Sequence, residues 1–195
     1  MDGSQKCRRA PRRHAAAAVL LGVLALTGAA GAGQGTVSTE YAVKAAFLYH
    51  FAQFVEWPDG AFHDAKSPYV YCTVGPDAFH GVLESTLKDK TVGARGFEVR
   101  HLKQMQEAQG CHLVFLGEFE KRQVGAAMAA VKGSPVLVVG ESEQFVADGG
   151  MIGFLLEDNK VRFEVNLEST ERAGLKVSAK LLALAKTVKG APKRG

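Results

Sequence analysis

The chain has 195 residues and 24 Lys and Arg against 20 Asp and Glu, a formal charge of +4. Five of those bases (Lys6, Arg8, Arg9, Arg12, Arg13) and one acid (Asp2) lie in the first 32 residues, leaving 19 of each sign in the rest. A neutral remainder of about 163 residues fits one domain with a proper core. It has no excess charge to draw nucleic acid or acidic lipid, so both are excluded as partners.

The basic start followed by the apolar run Ala15 to Leu26 and the small exit Ala30-Gly31-Ala32 predicts a secretory signal peptide over 1–32, cleaved after Ala32. The run is shorter than the roughly 20 apolar residues a membrane-spanning helix needs. Cys7 precedes it and no cysteine stands at its exit, so no lipid anchor is expected. The mature protein is therefore expected outside the cytoplasm, as a flexible linker over 33–38, a folded domain over 39–190 and a disordered tail over 191–195.

Tyr41, Ala45, Leu48, Ala52 and Val55 recur at helical spacing after Thr39, a fair N-cap, and predict a helix over 39–55. Phe47, Phe51 and Phe54 occupy its other faces, so it should be sandwiched, and Trp57-Pro58 ends it. Residues 69–74 alternate as a half-buried strand, and Gly75-Pro76-Asp77 turns into a helix running to about Leu87. Strand 97–102 and a short polar helix over 103–108 follow. The apolar run 111–116 suits a strand buried on both faces. A helix over 118–131 then leads to another buried strand, 136–139.

Residues 151–156 and 161–165 alternate on either side of the turn-rich 157–160 and predict a hairpin, with Phe163 and Val165 on one side and Arg162 and Glu164 on the other. A long amphipathic helix over 169–188, carrying Leu175, Ala179, Leu182 and Lys186, is expected to close the chain. The order predicts a single three-layer α/β domain, with a mostly parallel sheet of about five to six strands flanked by helices, a C-terminal hairpin and a long final helix.

Cys72 and Cys111 are an even pair in an exported domain, most simply a disulfide. A loop of about 40 residues closed this way removes unfolded-chain entropy equivalent to roughly 4 kcal/mol. No metal is expected, since His112 is the only histidine beside either thiol. No catalytic constellation emerges either. Gly149-Gly150 with Gly153 reads as a tight entry to the hairpin, and Gln144 stands where a nucleophile elbow after Gly140-Glu141-Ser142 would need glycine. His50, His63, His80, His101 and His112 show no paired spacing, and Glu141, Glu143, Glu157 and Asp158 read as solvated loop or turn carboxylates. Mid-strand Glu164 suits a structural ion pair and a partner contact equally. The protein is expected not to be an enzyme and to carry no cofactor.

Two blocks carry a resemblance. One runs from Glu40 to Pro58, with Tyr41, Lys44, Phe47, Tyr49, Phe51, Phe54, Trp57 and Pro58. The other includes Gly150, Phe154, the run Val161-Arg162-Phe163-Glu164-Val165-Asn166 and the run Arg172 to Leu182. With these the chain resembles the YfiR family of periplasmic proteins. The resemblance implies a repressor that binds the periplasmic region of a membrane diguanylate cyclase, lowering cyclic-di-GMP and biofilm formation. An OmpA-like outer-membrane lipoprotein as sequestering partner and a homodimer are further family-level expectations. It implies a contact surface of Phe154, Glu164, Asn166, Leu167, Leu175 and Lys176, and matches Cys72 and Cys111 to one family disulfide. A second family cysteine pair is missing where Phe145 and Ile152 to Gly153 stand. The alternative is a periplasmic small-molecule-binding sensor serving another membrane signalling protein or transporter.

Overall fold

The computed structural model describes residues 32–117, 123–142 and 144–190. The expected signal peptide up to residue 31, the tail over 191–195 and the start of the helix read over 118–131 lie outside these residues. Helix α1 (Ala32–Phe54) leads into β1 (Val55–Glu56), and β2 (Tyr69–Val74), α2 (Val82–Leu87), β3 (Phe97–Leu102), β4 (Leu113–Leu116), α3 (Val124–Ala130) and β5 (Leu137–Gly140) follow. The hairpin strands β6 (Ile152–Glu157) and β7 (Lys160–Asn166) precede α4 (Leu167–Arg172), β8 (Lys176–Val177), α5 (Ala179–Leu182) and β9 (Thr187–Lys189).

The strands form a seven-stranded sheet in the order β3-β2-β4-β5-β6-β7-β9, and β1 pairs with β8 separately. Every neighbouring pair of the large sheet is parallel except β6 with β7. The α/β class and mostly parallel sheet agree with the sequence. Helices α1 and α2 pack together. The chain steps from β4 to β5 in the opposite sense to its step from β2 to β3, so a right-handed crossover puts α3 on the other face and makes three layers.

All six residues of β2 are buried, not half of them as the alternation suggested. Flanked by β3 and β4 and covered on both faces, β2 has no solvent side. Helix α1 lies against its apolar row, where Ala45, Leu48 and Phe51 have no exposure. The Tyr71 hydroxyl donates to the Leu48 carbonyl at 2.9 Å, and burial holds its pKa well above the usual tyrosine range. The helix begins at Ala32, taking in the stretch 33–38 read as a linker. Extending a formed helix costs little per residue compared with nucleating it, and two glycines do not stop it.

The long final helix is absent. Asn166 caps α4, its side chain accepting the Ser169 N–H at 3.1 Å. After one turn the chain reverses at Gly174, whose φ is +74°. The Gly174 N–H donates to the Glu171 carbonyl and the Leu175 N–H to the Thr170 carbonyl, a Schellman termination. Leu175 drops into the core with no exposure. Lys176 and Val177 then pair with Glu56 and Val55, Ser178 caps the single turn of α5, and β9 joins β7 at the sheet edge. The apolar spacing read as one helix is shared among four short elements. The polar helix read over 103–108 is a 3-10 turn, Met105–Glu107.

The Cys72–Cys111 disulfide is formed, with 6.1 Å between the Cα atoms. Cys72 lies on β2, while Cys111 sits just ahead of β4. Beside it, buried His112 holds the loop that follows α1. The Val70 N–H donates to His112 Nδ1 at 3.0 Å, and Nε2 lies 3.0 Å from the Ala61 carbonyl. Nδ1 is therefore the acceptor and Nε2 carries the proton. Phe62 stacks on the ring at 4.3 Å between centroids, and Trp57 Nε1 donates to the His112 carbonyl. Burial, then the Arg95 and Arg100 charges, holds the His112 pKa below the ordinary histidine value.

Phe145 closes the core on the far side of β5. Its ring lies between two glycines: a Cβ on Gly140 would fall 2.3 Å from it, and one on Gly150 would fall 2.2 Å from it. The glycines ahead of the hairpin thus make room for an aromatic plug. Phe145→Ala should lower the unfolding free energy by about 3–5 kcal/mol in urea titration, the cost of emptying a packed aromatic site. For His112 the native pKa lies below the unfolded one, so its stabilising contribution is complete above a pH of about 6.5 and is lost as pH falls through the native pKa. Urea midpoints should therefore drop more steeply between about pH 7 and 5 in the native protein than in His112→Asn; equal slopes would assign acid sensitivity elsewhere.

Candidate partner-binding surface

Asp158 and Asn159 both have positive φ, 51° and 58°, and close β6 onto β7 as a two-residue turn of the mirror-image type that matches strand twist. The register places Ile152, Phe154 and Leu156 opposite Val165, Phe163 and Val161, one apolar face that alternation keeps together. Its inner part is covered by α1, with Phe51 5.8 Å from Phe154 and 5.5 Å from Phe163, and Phe47 packed on both. The outer part is not. β6 pairs with β5 only at Ile152 and Gly153, so the rest of the hairpin runs on past the end of β5.

Leu156, on this outer part, is 54% exposed, and Leu184, ahead of β9, is 65% exposed. Leu184 belongs to the same end of the hairpin, because Lys186 donates its N–H to the Phe163 carbonyl and its Nζ lies 2.9 Å from Glu157. Val43, 39% exposed, precedes Phe47 by one helical turn. Among the described residues these three are the exposed large hydrophobic side chains, and Leu156 and Leu184 belong to one structure, the outer hairpin. Glu157, Lys186 and Arg162 supply charge around it.

A second constellation lies at the C-terminal ends of the parallel strands. Lys44 and Glu141 have side chains only 6% and 4% exposed and approach to 2.6 Å. Lys44 also pairs with Glu40 and stands 4.5 Å over the Tyr41 ring, while the Tyr41 hydroxyl donates to Glu141 Oε1 at 3.0 Å. The carboxylate read as a solvated loop residue is thus buried under α1. A charged lysine within an apolar helix called for such a partner, but sequence distance concealed it. The order of strands reverses between β2 and β4, where an open α/β sheet offers a ligand crevice. Here Glu141 and Ala78 flank Gly117 at ordinary van der Waals distance, 3.7 and 3.8 Å from where its Cβ would stand.

Thr73, His101 and Glu84 form a third constellation. The Thr73 hydroxyl lies 2.8 Å from His101 Nδ1, and His101 Nε2 lies 2.7 Å from Glu84 Oε1. Hydroxyl, base and carboxylate follow the order of a nucleophile relay. Thr73 sits within β2 and is 2% exposed, so the relay holds α2 to the sheet and leaves no room for a substrate at the hydroxyl. The parallel register puts His101 beside Thr73, a juxtaposition invisible without the strand pairing.

Residues 41–186 match the family described as YfiR/HmsC-like. The chain belongs to this family. Among solved structures it is similar to a conserved domain protein from Vibrio cholerae O1 biovar El Tor, with a TM-score of 0.51 and 11% identity over 76% of this chain. The matched region spans 60% of that protein's length. It is also similar to an ABC domain in complex with L-Trp from Streptococcus pneumonia, with a TM-score of 0.44 and 9% identity over 63% of this chain and 55% of that one. The Vibrio likeness is one of fold alone.

In this YfiR/HmsC-like domain the motif residues of the second half of α1 and the segment after it build its core. Tyr41 and Lys44 engage Glu141, Tyr49 and Phe54 pack at the core margin, Trp57 reaches the His112 carbonyl, and Pro58 starts the loop that His112 pins. The six residues expected to meet a partner do not share a surface. Phe154, Asn166 and Leu175 are at most 1% exposed, as core ring, helix cap and Schellman anchor respectively, so they are corrected from contact residues to structural ones. Glu164 and Leu167 are half-buried and Lys176 is exposed opposite Glu56. Where the family resemblance placed a second cysteine pair, Phe145 Cβ lies 3.4 Å from the position a Gly153 Cβ would take; an apolar plug occupies the site of that bond.

Leaving either member of the Lys44–Glu141 pair alone strands a buried charge. Lys44→Met should cost about 3–5 kcal/mol, and the double variant Lys44→Met with Glu141→Leu should recover most of it. Urea unfolding of the three proteins measures the coupling, and additive losses would place the charges in solvent.

Proposed function

We propose that this protein is a periplasmic regulator that represses an inner-membrane diguanylate cyclase by binding its periplasmic sensor region, lowering cyclic-di-GMP and biofilm formation. Family membership supports the class of function. The observation that carries the surface is the uncovered outer hairpin, where Leu156 and Leu184 are exposed beside the Glu157–Lys186 pair. Apolar contacts with a charged border suit reversible association with another protein. The Cys72–Cys111 bond suits an oxidising compartment. An OmpA-like outer-membrane lipoprotein that sequesters the repressor and a homodimer belong to the same reading, as does the absence of enzymatic activity.

Deleting the gene should raise cyclic-di-GMP and surface attachment, and restoring the native gene should reverse both. Leu156→Asp with Leu184→Asp should fail to restore repression and lose capture of the cyclase's periplasmic region at least tenfold, with an unchanged melting temperature. Undisturbed cyclic-di-GMP in the deletion strain would overturn the function, while full capture by the double variant would move the surface away from the outer hairpin.

A further inference from the structure

A cleft of about 600 Å³ opens between α3 and α4, away from the hairpin's outer end. That volume is in the range of small-molecule sites, about 300–1,000 Å³. Its walls are apolar, with Met128 and Val131 on the α3 side, Ala173 on the α4 side and Met151 at the start of the hairpin. The two ionisable side chains that line it, Lys132 and Arg172, are both cations. Asp148, Glu168 and Glu171 lie close in sequence to the lining, but none of them lines the cleft.

Arg172 is held in place. Its Nε donates to the Glu168 carbonyl at 3.2 Å and its Nη2 to Ser169 Oγ at 3.1 Å. Ser169 is 2% exposed and donates its own hydroxyl proton to the Gly149 carbonyl at 2.9 Å. Two of the five guanidinium donors thus fix the group to α4, and the remaining fork is available to an acceptor. An immobilised guanidinium recognises a planar carboxylate well because its donors are already arranged for two parallel bonds. Two unbranched methionines line the apolar wall and can adapt to an aliphatic body.

From this we infer that the cleft is a binding site for a small amphipathic carboxylate, with the acid group on Arg172 and Lys132 and the apolar body against Met128, Val131 and Met151. The site is separate from the outer hairpin, so its test does not depend on the regulatory role. Apolar burial supplies part of the affinity and the cations select the head group, so acid and body must both matter.

Purified protein should be titrated with decanoate, with decanol as the same body without charge and with inorganic phosphate as an anion without a body. Displacement of a bound anilinonaphthalene sulfonate dye and the shift in melting temperature give the readouts. Decanoate should bind at least tenfold more tightly than decanol and raise the melting temperature by several degrees, as a ligand specific to the folded state does, while phosphate should do neither. Arg172→Gln should weaken decanoate at least tenfold and leave decanol unchanged. Because Arg172 also supports Ser169, Ala129→Trp provides an independent variant that fills the cleft from an exposed helical position and should abolish binding with an unchanged melt. Leu156→Asp should bind decanoate normally. Equal affinity for decanoate and decanol, native affinity in Ala129→Trp, or loss of binding in Leu156→Asp would each overturn the site.

Discussion

The structure depends on burying one broad face of α1, whose opposite stripe of Ala42, Val43, His50 and Gln53 stays exposed, so the helix is not sandwiched. α1 meets α2, β2 and the hairpin, so its polar requirements have to be met inside the protein. The Lys44 ammonium needs the Glu141 carboxylate, and the Tyr71 hydroxyl finds a helix carbonyl. These are costs of burial that the fold meets with specific partners. They also set the position of α1, since a slide by one turn would strand a charge at one end and unseat the Phe51, Phe154 and Phe163 rings further along.

The same helix determines what is left uncovered. The inner hairpin is roofed by Phe47 and Phe51, but β6 leaves the edge of β5 after two paired residues and carries its apolar alternation into solvent. Leu156 is exposed because the strand outruns its roof. On the other edge β9 is too short to follow β7 outward, and Leu184 stays in the open. A continuous strand pattern has therefore been divided between core and surface by the lengths of its neighbours. Charges at Glu157 and Lys186 protect this projecting end from indiscriminate strand pairing.

Much of this was legible in the sequence, for identifiable reasons. β4 and β5 are unbroken apolar runs, so local composition alone announced their burial, whereas α1 is covered on one broad face and not sandwiched as its composition suggested. The hairpin was readable from period-two alternation around four turn-forming residues. The C-terminal region was misread because Leu175, Ala179 and Leu182 keep helical spacing although Gly174 reverses the chain before them; period alone does not register a Schellman stop. The site was less legible than the fold. Glu141 lies nearly a hundred residues from Lys44, and Phe154, Asn166 and Leu175 were assigned to a surface by resemblance, which does not show which side of a strand a helix will cover.

Trp57 is the only tryptophan in the chain, and its surroundings give it a use beyond packing. Its indole N–H is bound to the His112 carbonyl, and its ring meets Tyr69 edge-on at 5.4 Å. Cys111 is the residue next to His112, and Trp57 follows α1 directly after the short strand β1. The indole is therefore a built-in optical gauge, whose emission follows the joint between the leading helix, the imidazole and the disulfide without any added label.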